Sequence, residues 1–225
     1  MPIDPNAPAD KPETQQMKVI HRAMRREFSL LPGLVAAVAP GDVPRAELLA
    51  GHLRLMLDML HGHHEAEDEL LWPVLTLRAP VEHDLIAIME KQHDAIAQAI
   101  TLIEQVLPDW AGTASAVARD RLAAALRDLE PTLTEHLDLE ENAVLPLIHE
   151  HLTVPEWLAP QKHAMKHGPK SLTAKLTIAG LVLEDATEPE RAWFLHELPP
   201  PARLLWRFVG RKRYATHIRA LRLTS

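Results

Sequence analysis

The stretch His63-His64-Glu65-Ala66-Glu67-Asp68-Glu69-Leu70-Leu71-Trp72-Pro73 returns further along the chain as His136-Leu137-Asp138-Leu139-Glu140-Glu141-Asn142-Ala143-Val144-Leu145-Pro146. Both copies read H-x-x-x-E-[DE]-x-x-x-x-P. On a helix, residues i and i+4 share one face with their Cβ atoms about 5–6 Å apart, so each copy aims one imidazole and one carboxylate in the same direction. Two such pairs facing one another have the donors of a metal site.

Working outward, the other helices repay inspection for donors at the same depth. From about Thr14 to Val38, Met17, Ile20, Met24, Phe28 and Leu31 fall at helical spacing, with His21 among them and Pro32-Gly33 as a point of interruption. A second helix is expected from Pro44 to Leu77, with the stripe Met56, Leu60, His63, Glu67, Leu70 and Val74; the His/Glu pair takes positions where the pattern asks for core residues. A third, from Glu82 to Leu107, carries Leu85, Ile86, Met89, His93, Ile96, Ile100 and Ile103; Pro108 to Thr113 reads as a linker. A fourth runs from Ala116 to His151, with bends expected at Pro131 and Pro146. Four long helices with short connections predict an all-α fold, an antiparallel four-helix bundle with additional C-terminal helices.

The spacings repeat. His21 to His93 is 72 residues, and both His63 to His136 and Glu67 to Glu140 are 73. Two similar hairpins related by a pseudo-twofold axis therefore bring four imidazoles and two carboxylates to one level. Six such side chains buried without an ion would cost several kcal/mol each. A lone H-x-x-x-E is weak, since a histidine on a helix face is more often a hydrogen-bonded core residue; the repeat, with the same acid at i+5 and the same proline at i+10, favours metal.

Composition limits the chemistry. The 225 residues contain 14 His and no Cys, which excludes disulfides, iron–sulfur clusters and thiolate zinc sites and leaves nitrogen and oxygen ligands suited to iron or manganese, with zinc ranked lower. The polar, Pro-rich start has no signal-peptide character and no apolar run reaches membrane-spanning length, so a cytoplasmic protein is expected. The division expected is a loose leader over residues 1–13, a metal-binding unit over 14–152, and a C-terminal helical extension over 153–225 with a basic tail.

The single histidines on the first and third helices and the two H-x-x-x-E-[DE] helices together resemble the hemerythrin-like, HHE cation-binding family over about residues 14–151. Ferritin-like Glu-x-x-His is spelled only once among these ligands, at Glu90 and His93. The resemblance implies two iron ions, Fe2+/Fe3+, oxo- or hydroxo-bridged when oxidised, with His21, His63, His93 and His136 as terminal ligands. Glu67 and Glu140 would bridge, with Glu141 as runner-up for the second bridge. Respiratory hemerythrins carry two histidines at i, i+4 on the third helix, giving five; here Met89 and Ala97 flank His93 at those positions. His64, about 100° from His63, reads as a boundary residue, so one iron is expected to be a histidine short. That argues against a reversible O2 carrier and for reactivity toward peroxide or nitric oxide.

His163 and His167, an i, i+4 pair after Pro160, are candidates for the missing ligand: a helix returning from Glu156 reaches the metal level after roughly 13 residues at 1.5 Å each. The competing reading makes them surface residues beside Lys162, Lys166 and Lys170. From Leu198 onward there are seven basic residues and no acid, leaving the rest of the chain near −14. This end is expected to pack as a cap through its Trp and Leu residues, with a solvated Arg face. A protein partner is the alternative; no nucleic acid is expected.

The functional expectation is a di-iron protein that binds or reduces O2, H2O2 or NO, in sensing or detoxification, with an external electron donor. As an enzyme it would be a peroxide- or NO-consuming oxidoreductase. The alternatives are a regulatory protein acting through its basic C-terminal helices, the metal being structural, and simple iron holding.

Overall fold

The computed structural model describes residues 10–223, and among them every regular element is helical. The chain forms α1 (Gln15–Ala36), α2 (Val43–Leu70), α3 (Trp72–Arg78), α4 (His83–Thr113), α5 (Ala116–Leu139), α6 (Leu145–His151), α7 (Val154–Trp157), α8 (Ala159–His167), α9 (Leu172–Glu184), α10 (Glu188–Glu197), α11 (Pro200–Leu205) and α12 (Arg211–Arg222). Most of the expected leader, residues 1–9, lies outside the described residues. Its last part is anchored on α6, where the Pro12 carbonyl meets His149 Nδ1 at 2.9 Å and Lys11 Nζ donates to the Glu150 carbonyl.

The helix starts follow local chemistry. Asp42 accepts from the Arg45 N–H ahead of α2, and Ser115 from the Ala118 N–H ahead of α5, each supplying an acceptor to an otherwise unpaired N-terminal donor. Thr187 and Glu190 form a capping box, and Thr153 with Glu156 forms another. Pro108 to Thr113 is helical, contrary to the expected linker. Trp110 is fully buried there and Ala111 lies against the same core, so packing outweighs the one backbone bond that Pro108 removes; α4 ends only at Ala114, which turns left-handed at φ 46°. Pro32-Gly33 likewise does not interrupt α1.

The helices α1, α2, α4 and α5 pack as a closed ring, each against two of the others. Their apolar residues form two clusters. The larger includes Met24, Phe28, Leu53, Leu60, Ile96, Trp110 and Leu137; the smaller includes Leu71, Trp72, Met89, Val144 and Ile148. Between them, on all four helices, lies the level that carries His21, His63, His93 and His136.

Both repeats change helical form just past that level. The second helix stops at Leu70 and restarts as α3 before Pro73, while α5 passes into a π turn, Glu140–Val144, before Pro146. The Leu145 N–H bonds to the Glu140 carbonyl, five residues back. A proline ring clashes with the carbonyl four residues earlier, and widening the turn relieves this.

The C-terminal helices are part of the same body. α9 packs on α1 and α12 on α9, and Leu181 and Leu221 belong to the larger cluster. Trp206 and Leu221 are buried, as expected of a cap, but Arg222 turns inward. It donates to Glu27 Oε1 at 2.8 Å and forms a two-pronged pair with Glu184. Glu27, fully buried, also accepts from Arg26 Nε and pairs with His52 Nε2 at 3.1 Å. Burial alone would raise the Glu27 carboxyl, but His52 and Arg26 overrule it and hold it at about 2, against an ordinary value of 4.5. The stability this supplies is present above about pH 4.5 and is lost as pH falls toward about 2; the shift is worth roughly 3 kcal/mol. Glu27→Gln is therefore expected to unfold at lower urea concentration at neutral pH and to lose less stability than the parent between about pH 5 and pH 3. Parallel curves for the two proteins over that range would disprove this role.

Candidate metal centre

His21 from α1, His63 and Glu67 from α2, His93 from α4 and His136 from α5 meet Glu140, the first residue of the π turn, between the two apolar clusters. His21 Nε2 lies 3.1 Å from His63 Nε2 and 3.2 Å from Glu140 Oε2. Glu67 reaches His63 Nε2 with one oxygen at 3.3 Å and His93 Nε2 with the other at 3.5 Å. Three overlapping sets each keep their donor atoms within 4.8 Å of one another: His21, His63 and Glu140; Glu67, His136 and Glu140; and His64, His93 and His136.

His64 is therefore a correction. Expected at the boundary, it is buried, with its ring stacked on His93 at 4.1 Å between centroids and edge-on to His136 at 4.8 Å. The physical reason is the ring of helices. α2 faces both α1 and α4, and successive helical residues point about 100° apart, so His63 is delivered toward His21 and His64 toward His93. The signal was present in the sequence as the buried stripe Leu53, Leu57, Leu60, His64, Glu67 and Leu71, spaced by threes and fours.

The two other candidates are not brought to the centre. The returning segment breaks into the four-residue α7 and the nine-residue α8, instead of one long helix. There His163 and His167 stack on each other at 4.4 Å, and His167 is exposed. Glu141 lies behind His21, not between the sets: its Oε1 is 3.0 Å from His21 Nδ1 and it is also held by Arg25.

The acid at i+5 has the same place in both repeats. Asp68 Oδ1 is 2.6 Å from His93 Nδ1, as Glu141 is behind His21. In each case the carboxylate takes the outer ring nitrogen, fixing the ring and leaving Nε2 aimed inward; such a partner makes an imidazole a better ligand. Asp68 was missed by sequence reasoning, although the shared [DE] was its signal. Gln92 occupies the corresponding place behind His136, Oε1 to Nδ1 at 3.3 Å.

The inward atoms lack partners. Both oxygens of Glu67, both of Glu140, and Nε2 of His64, His93 and His136 are buried without a hydrogen bond. Leaving so many polar atoms unpaired is costly unless a cation takes them. The donor set is nitrogen and oxygen, suited to a cation such as iron. The family profile described as Hemerythrin HHE cation binding domain matches residues 13–148.

The chain belongs to the hemerythrin HHE family. No curated protein and no solved structure matches it. Cation binding, typically of iron, is what this membership brings, and the His/Glu cluster fits it.

Electrostatics within the hemerythrin HHE site set the charge states of these donors. Burial drives His63 and His136 down to about 3, assisted by neighbouring imidazoles, and His64 falls for the same reason. These rings are neutral and carry free lone pairs at neutral pH, the form a metal requires. Glu67 is pushed up by burial and by the Glu140 charge beside it. Burial would also raise Glu140, but His21 prevails and keeps it ionised. His21 is in turn raised, because Glu140 and Glu141 outweigh its desolvation. The two central carboxyls are thus driven apart, Glu67 toward its neutral acid and Glu140 toward its anion, and a cation beside them would favour the ionised form of both.

Glu67→Gln should consequently stabilise the protein without metal at about pH 8 by roughly 1–3 kcal/mol, since glutamine is neutral beside Glu140 without taking up a proton on folding. It should also reduce the stabilisation gained on adding ferrous iron. Paired urea titrations with and without metal test both signs; a metal-free variant less stable than the parent would contradict the account.

Proposed function

We propose that this hemerythrin HHE protein holds two iron ions and binds or reduces a small oxidant, O2, H2O2 or NO, in sensing or detoxification in the cytoplasm. The observation that carries the reading is the convergence of unpaired carboxylate oxygens and imidazole nitrogens on one buried level. We read the ring of α1, α2, α4 and α5 as an antiparallel four-helix bundle forming a unit over residues 14–152, with 153–225 as its helical extension. In support, α1 and α4 meet the smaller apolar cluster near their N-terminal ends, through Met17 and Met89, whereas the α2–α3 and α5–α6 segments meet it beyond the histidines, through Leu71 and Val144.

In this reading His64, His93 and His136 hold one iron, His21 and His63 hold the other, and Glu67 and Glu140 lie between them. The count of imidazoles is then five, and the deficit expected on the third helix is filled from the second. A bound ferrous pair supplies one electron per iron to the oxidant. The protein's own residues do the rest. Asp68 and Glu141 hold His93 and His21 in orientation. The apolar clusters on either side exclude bulk water, which limits side reactions. The side with two imidazoles would offer an ion fewer protein donors, and a small ligand would complete its coordination there. Restoring the fifth imidazole removes the sequence-based objection to reversible O2 binding, so binding and reduction stand together in the proposal.

The aerobically purified protein should contain two irons per chain and show near-ultraviolet oxo-to-iron charge-transfer absorption. Zinc, or no metal, would end the proposal. His64→Ala should lose about half of the iron while His167→Ala keeps all of it, measured by metal analysis on variants with unchanged far-ultraviolet circular dichroism. Equal iron in both variants would remove His64 from the ligand set. Mixing the ferrous protein with peroxide or NO then separates an oxidant-reactive centre, which changes its spectrum and turns over, from iron holding, which does neither.

A further inference from the structure

The C-terminal segment contains a second place with the features of a ligand site, and nothing in the metal reading uses it. A crevice of about 560 Å³ opens where α9 meets α12 and the π turn Trp206–Gly210. Its walls include Thr173 of α9, Phe208 and Val209 of the turn, and Lys212, Arg213 and His217 of α12. The volume is in the range that accepts one small organic molecule.

Three observations bear on what it would accept. First, Phe208 is 72% exposed, so its ring does little for the core. It forms one wall of the crevice, with the Arg207 guanidinium over it at 5.6 Å. The turn that presents it is tightly seated: a Cβ at Gly210 would fall 2.4 Å from the Trp206 ring and 3.0 Å from Leu176. π turns are rare and frequent at functional sites. Second, Lys212 and Arg213 face no carboxylate. Beyond Leu198 there is no acid in the sequence, and of the seven basic residues there Arg222 alone pairs with carboxylates among the described residues.

Third, His217 is held at the crevice from within. Its Nε2 meets His52 Nδ1 at 3.3 Å, and His52 Nε2 meets Glu27 Oε2 at 3.1 Å. Glu27 is an acceptor, so His52 donates to it through Nε2 and accepts from His217 through Nδ1. That chain leads from a buried carboxylate on α1 through a buried imidazole on α2 to the wall of the crevice, and it leaves Nδ1 of His217 without a protein partner among the described residues. With its proton on Nε2, His217 presents Nδ1 as a fixed acceptor at the crevice wall, suited to an O–H or N–H of a ligand beside its charged head.

We propose that this crevice binds a small amphiphilic anion, with a phosphate or carboxylate head against Lys212 and Arg213 and an apolar tail or ring along Phe208 and Val209. Within the crevice only Phe208 and Val209 offer apolar side chains, enough for one short tail or ring and too little for insertion into a bilayer. The proposal is independent of the metal centre, whose residues lie on other parts of the chain.

Titration calorimetry of the full-length, metal-loaded protein with octyl phosphate, kept below its micelle concentration, tests it. One saturable site per chain is expected, with inorganic phosphate and octanol each at least about tenfold weaker. Charge reversal of Lys212→Glu together with Arg213→Glu should weaken octyl phosphate by about tenfold or more, the scale of losing charge-assisted contacts. Phe208→Ala should weaken it by about fivefold. All three positions are exposed, so the variants should keep the parent's melting temperature and iron content. No saturation, equal affinity for inorganic phosphate, or variants that bind like the parent would overturn the proposal. So would binding to vesicles of anionic phospholipid without binding to dissolved octyl phosphate, since that outcome describes a membrane face instead.

Discussion

The structure depends on placing two carboxylates and five imidazoles inside an apolar ring of helices. Such a layer is destabilising on its own terms: the carboxyls repel, burial holds His63, His64 and His136 neutral, and most of the inward atoms have no hydrogen-bond partners. Everything next to it compensates locally. The larger cluster anchors one side and the smaller cluster the other, so the helices keep their spacing although the level between them cannot close on itself. The binding function and the cost to stability are one arrangement seen with and without a cation.

Much of this was legible in the sequence because histidine and glutamate interrupted apolar stripes in duplicate. His21, His63, Glu67, His93, His136 and Glu140 do meet at one level, and the family and its helical character follow from the same residues. The places that escaped prediction have physical reasons. His64 was read one position off the stripe because a helix was treated as having one inner face, whereas α2 has two neighbours and hence two inner faces. His163 and His167 depended on a long return helix, and the break after Trp157 removed it. The linker at Pro108 was read from a local breaker, but Trp110 gains more from the core than Pro108 loses.

The C-terminal region shows the limit of reading charge from composition. Its seven basic residues look alike in the sequence, yet they divide in the fold: Arg222 enters the buried network around Glu27, while Arg207, Lys212 and Arg213 remain at the surface around Phe208. Only three-dimensional proximity to Glu27 and Glu184 separates these roles, and those two acids come from α1 and α9. The extension is thereby fastened to the ring at its own far end, through Leu221 and Arg222.

The paired acids behind the histidines cross between the repeats. Asp68, from the first hairpin, holds His93 of the second, and Glu141, from the second, holds His21 of the first. Each hairpin thus carries the clasp for the other's ligand. The first hairpin by itself leaves His21 unbraced and His64 without the helix it faces. The full donor set exists only once both hairpins have packed together, so a cation held there would report a finished bundle.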